Sequence, residues 1–507
     1  MRLNFFKSKS KCTFLMLIIF LFSLSIGIEQ GFCIETSNES GFTGSEMPLK
    51  SNVPLKKPWN ITLNQMIDWS TVNGENIYVL DSAGDSVGLN YALSQDKKTV
   101  IVSPLQDYRS GQGYYLYIAK GIKSILGNYL NSPVRMKFTT ASLQIGGVFC
   151  DYLGKETWDT YWKNNDLLKM LTDNGCVWAR VGVTTVSSSD LKNTPQPDWR
   201  LLNYENEYWS SLEYSEAILR DAAQKGMKTD LFLFLSDKAA HAGTQDAPKE
   251  WQGLSVEDTG DKLQTYCYNT TKYFMDKGIK IDIYEIGNEI NMGILNFRPF
   301  ERIPVPDGVN ITTDMEYLKN NVWNIESILL KRAIQGVKEA NPDAKIGLHT
   351  AGLGINKGDT YTKSFFETMI NNGVDFDYIG LSYPYGNCNV VDTTRPYFKS
   401  DEFKQTLQYL HSLNKEVMFC EYAYPNDSQG ISALPDDGYP YTPEGQANWV
   451  KDFLSVCLEN NIFGAFYFYP EYFPGISYGS TIELESSGLL VNDSQVQPAM
   501  LEFNKYK

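Results

Sequence analysis

From residue 141 to residue 507, short apolar strands alternate with amphipathic helical stretches, and this alternation constrains the fold more than any other feature of the chain. Eight strands stand out: QIGGVFC (144–150), CVWARVGV (176–183), KTDLFLFL (228–235), IDIYEIGN (281–288), AKIGLH (344–349), FDYIGLSY (376–383), EVMFCEY (416–422) and FGAFYFYP (463–470). Between them run stretches of helical period such as YWKNNDLLKMLTDNG, YSEAILRDAAQKG, NIESILLKRAIQGVKEANP and QANWVKDFLSVCLENN, several closing on Gly or an Asn-Pro stop. Apolar strands that need cover on both faces, each followed by a helix, make a parallel sheet. Eight such units over residues 141–507 predict an α/β fold, a (β/α)8 TIM barrel, with reactive groups at the C-terminal ends of its strands.

The chain before residue 141 has a different texture. Residues 51–140 carry short alternating strands separated by Asp, Asn and Gly turns: NIYVLDSAG, VGLNYAL, SQDKKTVIVSP, GYYLYIAKG and VRMKFTT. This spacing predicts a small all-β sandwich. Residues 34–50 are polar and read as a flexible linker, with order beginning near Pro54. Residues 1–33 read as an export signal, with a basic start (Arg2, Lys7, Lys9, Lys11) before the apolar run CTFLMLIIFLFSLSIGI. The expectation is a secreted, extracellular protein with no membrane contact after cleavage, a retained N-terminal anchor being the alternative.

The formal charge is −15, and loss of a signal carrying four basic residues and one acidic one would take it to −18. Such a chain lacks the basic footprint that nucleic acids and anionic surfaces require, so a neutral substrate fits better. Its cysteines show no CxxC pair, and several lie inside apolar strands, where a thiol behaves as a small hydrophobe. With three histidines and no HExxH, the sequence implies neither a catalytic zinc nor a Ser-His-Asp triad, and no cofactor follows.

The stretch YEIGNEINMG (284–293) ends an apolar strand on Asn288 and Glu289, where a charge is hardest to accommodate. In a barrel, Glu289 falls just past the fourth strand and Glu421 near the end of the seventh, so both face one rim. Two carboxylates on one cleft are what glycosidic bond cleavage needs, one protonated to release the leaving group and one ionised. The Asn288 amide could hold a sugar 2-hydroxyl there. Each glutamate also has a plainer reading: Glu289 as a loop carboxylate or helix cap, and Glu421 as the ion-pair partner of Arg180. The latter overlaps with catalysis, because an Arg that keeps a carboxylate ionised supports a nucleophile. Glu285, four residues deeper and about 13 Å below by strand rise, reads as a buried hydrogen-bonded group.

These residues carry a resemblance. IGNEINMGIL (286–295) resembles the acid/base strand of the arabinogalactan endo-β-1,4-galactanases, glycoside hydrolase family 53, among the retaining (β/α)8 glycosidases. LSDKAAHAGTQDAPKEW (235–251) is similar to that family's strand-three loop, and IGLSYPYG and GLLVNDSQVQPAMLEFN also follow it. Residues 51–140 resemble the bacterial Ig-like domains of secreted enzymes; a spacer, a carbohydrate-contacting module and a packing module are all open for them. The family resemblance implies Glu289 as acid/base and Glu421 as nucleophile. It further implies Arg180, Asp237, Asn288, His349 and Tyr383 as substrate-side groups, Tyr383 bonding the nucleophile. For His349 a buried, satisfied imidazole is the other reading.

Two departures touch sugar recognition: Phe234 stands where the family carries a histidine, and Phe468 and Tyr469 stand in place of a Tyr-Trp run. The implied activity is retaining hydrolysis of a β-1,4-galactan or arabinogalactan polysaccharide. A mannan or xylan specificity, or a barrel that binds carbohydrate without cleaving it, are the alternatives.

Overall fold

The computed structural model describes residues 2–3, 42–149, 166–186, 210–351, 358–384, 396–431, 435–436, 438–473, 486–492 and 494–506. The chain divides into two compact units, residues 1–142 with 506–507, and residues 143–505.

The first unit is all-β, built on two sheets. One sheet orders Ser45–Val53, Val134–Thr140, Gly113–Ile118, Ile77–Asp81 and Ser86–Val87, and the other holds Trp59–Leu63, Thr99–Pro104 and Leu89–Leu93. Alternate residues Ile61, Leu63, Val79, Val100, Val102, Leu116, Ile118 and Phe138 fill the core. The expected linker is corrected here, because its last residues belong to the strand Ser45–Val53, which pairs in parallel with Val134–Thr140. That strand is exposed along most of its length and held by backbone pairing, with register shifts around Pro48, so it shows no apolar alternation to read. Of the expected export segment, only Arg2–Leu3 is described, as a two-residue strand beside Thr62–Leu63. On the outward face of the larger sheet Tyr78 and Tyr117 stack at 4.9 Å, and Arg135 and Lys137 lie over the neighbouring Tyr115.

The second unit is a closed barrel of eight parallel strands. These are β1 (Gln144–Phe149), β2 (Trp178–Val183), β3 (Lys228–Leu233), β4 (Ile283–Ile286), β5 (Ile346–Thr350), β6 (Tyr378–Pro384), β7 (Glu416–Ala423) and β8 (Gly464–Phe468). The described α-helices of seven or more residues between them are α1 (Leu167–Asp173), α2 (Leu212–Gln224), α3 (Val256–Asp276), α4 (Trp323–Ala340), α5 (Gly358–Asn371), α6 (Asp401–Ser412) and α7 (Pro443–Glu459). All eight expected strands are present within a few residues; Cys150, read as the end of the first, lies outside the described residues. Helix starts follow local chemistry: Asp166, Ser255, Ser400 and Thr442 each accept a bond from an orphan N–H of the first turn.

Closing eight strands crowds the barrel interior, and small residues make the room. Gly347 of β5 lies in register with Glu285 of β4, and a Cβ there would stand 3.0 Å from Glu285 Cγ. Gly347→Ala should therefore displace the Glu285 side chain and cost about 1–3 kcal/mol, read as a lower denaturant midpoint. A variant as stable as the parent would show that the interior is looser than this packing requires.

Candidate active site

Site geometry begins with an arginine in a dry place. Arg180 on β2 is fully buried, and its guanidinium meets both oxygens of Glu285: Nε donates to Oε1 at 2.9 Å and Nη2 to Oε2 at 2.7 Å. Nη1 donates to Glu421 Oε1 on β7 at 2.8 Å, and Nη2 also reaches Asn288 Oδ1 at 3.0 Å. The Phe232 ring supports the guanidinium from 3.9 Å. The Cys420 thiol donates to Glu285 Oε1 at 3.1 Å.

Two backbone irregularities aim the carboxylates. Along β7, Phe419 pairs with Leu381 while Glu421 pairs with Ser382, a β-bulge that skips Cys420. Cys420 and Glu421 therefore both reach the barrel interior, although regular alternation would send one of them outward. After β4 the chain turns through Gly287 at φ 84° and Glu289 at φ 51°, both left-handed. A Cβ on residue 287 would stand 2.2 Å from Ile290 Cγ2, so only glycine fits. Glu289 carries the strain of a left-handed non-glycine residue, which persists where the surroundings over-determine it. Here Gln245 Nε2 clamps the Asn288 carbonyl at 2.7 Å, and the Asn288 amide donates to Ala240 O at 3.0 Å.

A second line of contacts joins the two ends of the site. The Ser382 hydroxyl, in register with Glu421, lies 2.8 Å from Glu289 Oε1 and 2.8 Å from His349 Nε2. His349 Nδ1 lies 2.9 Å from Asn288 Oδ1 and 3.1 Å from Arg180 Nη2. The backbone N–H of Ala242 approaches Glu289 Oε2 at 3.3 Å. Arg180, Asn288, Glu289, His349 and Glu421 thus form one connected cluster.

Burial divides the charges. It would push Glu285 up, but the Arg180 guanidinium bound to both oxygens takes it down to about 2. Burial pushes Glu421 up to about 8; Arg180 opposes this and the Glu289 charge adds to it. Desolvation, with Arg180 beside it, takes His349 down to about 3, so the ring is neutral. Asp230, in register with Arg180, is raised well above the carboxylate range by burial and by the Glu285 charge. Glu285, His349 and Cys420 place metal-type ligand atoms within 4.8 Å of one another. The cation among them is already Arg180, which holds both Glu285 oxygens.

One expected site residue stands elsewhere, and another is bonded within its own loop. Tyr383 is corrected: Ser382 faces the barrel interior, so alternation turns its neighbour toward the helices. Its ring stacks on Phe453 at 5.2 Å and meets Phe403 at 5.7 Å, and its Oη accepts from Phe398 N at 3.1 Å. Asp237 accepts from the Thr185 hydroxyl and, at 2.7 Å, from Lys249 N, which ties the β3 loop together. Ser382, Gln245 and Cys420 joined the site without being assigned a role from sequence. Inward parity with Gly380 was the available signal for Ser382.

Two outcomes follow. Tyr383→Phe should cost about 1 kcal/mol in unfolding and leave turnover intact; lost turnover in a stable variant would return it to the site. His349 and Glu285 should each also withdraw stability as pH falls. Below about pH 6.5 the unfolded chain binds a proton that folded His349 refuses until about 3. Below about 4.5 the same holds for Glu285 until about 2. The share of stability that these two groups supply should therefore fall from pH 6.5 downward, and the difference in denaturant midpoint between wild type and His349→Gln should move against the wild type as pH falls from 6.5 to 4.5.

Comparison with known proteins fits this geometry. A family profile described as glycosyl hydrolase family 53 matches residues 148–503, and one described as a bacterial Ig-like domain matches residues 47–140. The arabinogalactan endo-β-1,4-galactanase A of Emericella nidulans is 23% identical over 284 residues, 54% of this chain and 73% of that protein. The arabinogalactan endo-β-1,4-galactanase of Humicola insolens is 25% identical over 293 residues, 54% of this chain and 76% of that one. Among solved structures, the GH53 catalytic domain of Ignisphaera aggregans superposes with a TM-score of 0.55 at 24% identity, covering 72% of this chain and 96% of that one. A fungal β-1,4-galactanase also superposes at 0.55, with 22% identity and coverage of 72% and 100%. This chain belongs to glycosyl hydrolase family 53: it is an endo-β-1,4-galactanase-like glycosidase whose barrel follows a bacterial Ig-like domain.

Proposed function

We propose that the protein is a secreted, retaining endo-β-1,4-galactanase acting on galactan or arabinogalactan. The observation that carries this reading is the unequal treatment of two carboxyls at one rim. Glu421 is bonded to the Arg180 guanidinium, and Glu289 to the neutral Ser382 hydroxyl. A carboxylate beside a cation is suited to attack, and one beside a hydroxyl to carrying a proton.

Glu421 attacks the anomeric carbon while Glu289 protonates the departing glycosidic oxygen, leaving a covalent glycosyl-enzyme. Glu289, now a base, takes a proton from water, which displaces Glu421 and restores the starting state with net retention. Asn288 Nδ2 gives one hydrogen to Ala240 O, and its second is the donor left for the sugar 2-hydroxyl. Export rests on the N-terminal signal pattern, and the polysaccharide on the named activities of the relatives. A cell-wall or carbohydrate contact through the Ig-like unit belongs to the same reading, with the half-buried Tyr78 and Tyr115 on the outer face of its larger sheet.

Reducing-sugar release from galactan, mannan and xylan separates the specificities, and galactan should lead. Glu421→Ala and Glu289→Gln should each lower kcat/KM by roughly 10³-fold or more. Wild-type inactivity on every polysaccharide leaves a binding protein; undiminished variants remove the assignment. Proton NMR of the first-formed product should show the β anomer, and an α product excludes retention. Burial raises Glu421 to about 8, which puts loss of the last proton in the cleft on the alkaline side of neutrality, and kcat/KM should fall there.

A further inference from the structure

A count of hydrogens around His349 locates the proton that the two carboxyls share. The Asn288 amide is oriented by its Nδ2–H, which donates to Ala240 O at 3.0 Å, so Oδ1 faces Arg180 and His349. Arg180 Nη2 has two hydrogens, and Glu285 Oε2 at 2.7 Å and Asn288 Oδ1 at 3.0 Å take them. His349 Nδ1 then lies 2.9 Å from an oxygen that can only accept, so Nδ1 carries a hydrogen and donates it to Asn288 Oδ1.

The ring is neutral. Arg180 and Glu285 face it from β2 and β4, the Cys420 thiol from β7, and Ser382 from β6. Glu289 stands one hydroxyl away and Glu421 one guanidinium away. Burial and Arg180 together keep a second proton off the imidazole. Nε2 is therefore bare, and its 2.8 Å contact with Ser382 uses the single hydroxyl hydrogen of that serine. Ser382 has only lone pairs left to present to Glu289, and the 2.8 Å contact there is made when Glu289 itself supplies the hydrogen.

We propose that His349 and Ser382 are positioning residues that hold Glu289 in its protonated form by locking the serine as an acceptor. That contact favours the acid form of Glu289 and the bond from Arg180 Nη1 favours the ionised form of Glu421, the two together opposing the burial that raises Glu421. When the Glu289 O–H turns from Ser382 to the leaving oxygen and its proton is transferred there, Oε1 is left facing an oxygen with no hydrogen to offer. The carboxylate is thereby left a stronger base toward water in the second half of the reaction. This rests on Glu289 being the acid/base, and it adds the direction of the serine bond.

That direction reverses the sign of a simple experiment. A hydroxyl that donates to a carboxylate stabilises the ionised form, and removing it delays proton loss to higher pH. A locked acceptor stabilises the acid, and removing it brings proton loss to lower pH. Full-length wild type, Ser382→Ala and Ser382→Thr would be compared by kcat/KM against pH on galactan. Ser382→Ala should move the alkaline limb down by about half a unit or more, and Ser382→Thr should restore it. An upward shift, or none, overturns the proposal.

A second measurement needs no variant of the relay and no turnover. With ¹⁵N-histidine labelling, the ring nitrogens of the wild-type chain should show His349 protonated at Nδ1 and bare at Nε2. The chain has only three histidines, so replacing His241 and His411 assigns the signals by elimination. A proton on Nε2 overturns the proposal even if both Ser382 variants fail to fold. Activity retained in Glu289→Gln would instead overturn the acid/base assignment, which keeps the two failures apart.

Discussion

Arg180 is the interaction on which the rest of the barrel interior depends. Removing a guanidinium from water costs several kcal/mol unless its donors are met in good geometry. The fork to Glu285 meets that demand, and Phe232 closes the face of the ion. Once Glu285 has balanced the charge, Glu421 receives a hydrogen bond from Nη1 but only a share of the cation. This explains how one carboxyl can be bonded to an arginine at 2.8 Å and still be pushed up to about 8 by burial. A nucleophile wholly neutralised by its own arginine would be stable and unreactive. Here Glu285 takes the larger part of the charge, which leaves Glu421 the basicity that the proposed attack on carbon requires.

Neither carboxylate reaches the cleft by regular strand geometry. Glu421 turns inward because a bulge lets Cys420 and Glu421 both face the interior, and Glu289 turns over the rim through a left-handed backbone. Both distortions have a local cause in packing. Cys420 is drawn inward by its bond to Glu285, where Gly380 leaves space for the sulfur. Gln245, Ala240 and Ser382 hold the turn after β4 from three sides. Strain is kept where the surrounding structure forbids relaxation, which is also where chemistry needs a fixed group.

This distribution explains what the sequence could disclose. Strand and helix patterns made the barrel legible, since short continuous apolar runs and helical runs of period 3.6 repeat in turn. Glu289 and Glu421 were legible as strand-end carboxylates, and Glu285 as a deep one. The bulge left no mark on the residue pattern, so nothing in MFCEY tells which neighbour faces in. Tyr383 and Ser382 exchanged roles for the same reason: resemblance pointed to the tyrosine, whereas inward parity belongs to the serine. The strand Ser45–Val53 was hidden because its pairing is carried by backbone groups and its side chains face water.

Under the proposed function, the two departures from the family pattern bear on recognition and leave the carboxyl arrangement in place. Phe234 is 3% exposed and packs edge-on to Phe232 at 4.8 Å, and Phe232 in turn covers Arg180. A histidine at that position would bring a polar edge and its water toward the ion pair. The phenyl ring excludes both, which strengthens the pairing of Arg180 with its carboxylates in a drier site. At the rim, Phe468 is half-buried and its ring lies 4.1 Å from that of Tyr469, a smaller platform than an indole for a sugar face. Less stacking area weakens a contact that many pyranosides share, and hydroxyl-directed donors such as Asn288 gain relative weight. In that reading, discrimination among sugars shifts toward the loops after β3 and β4, while the charge arrangement around Arg180 would be the same for any β-linked substrate that fits.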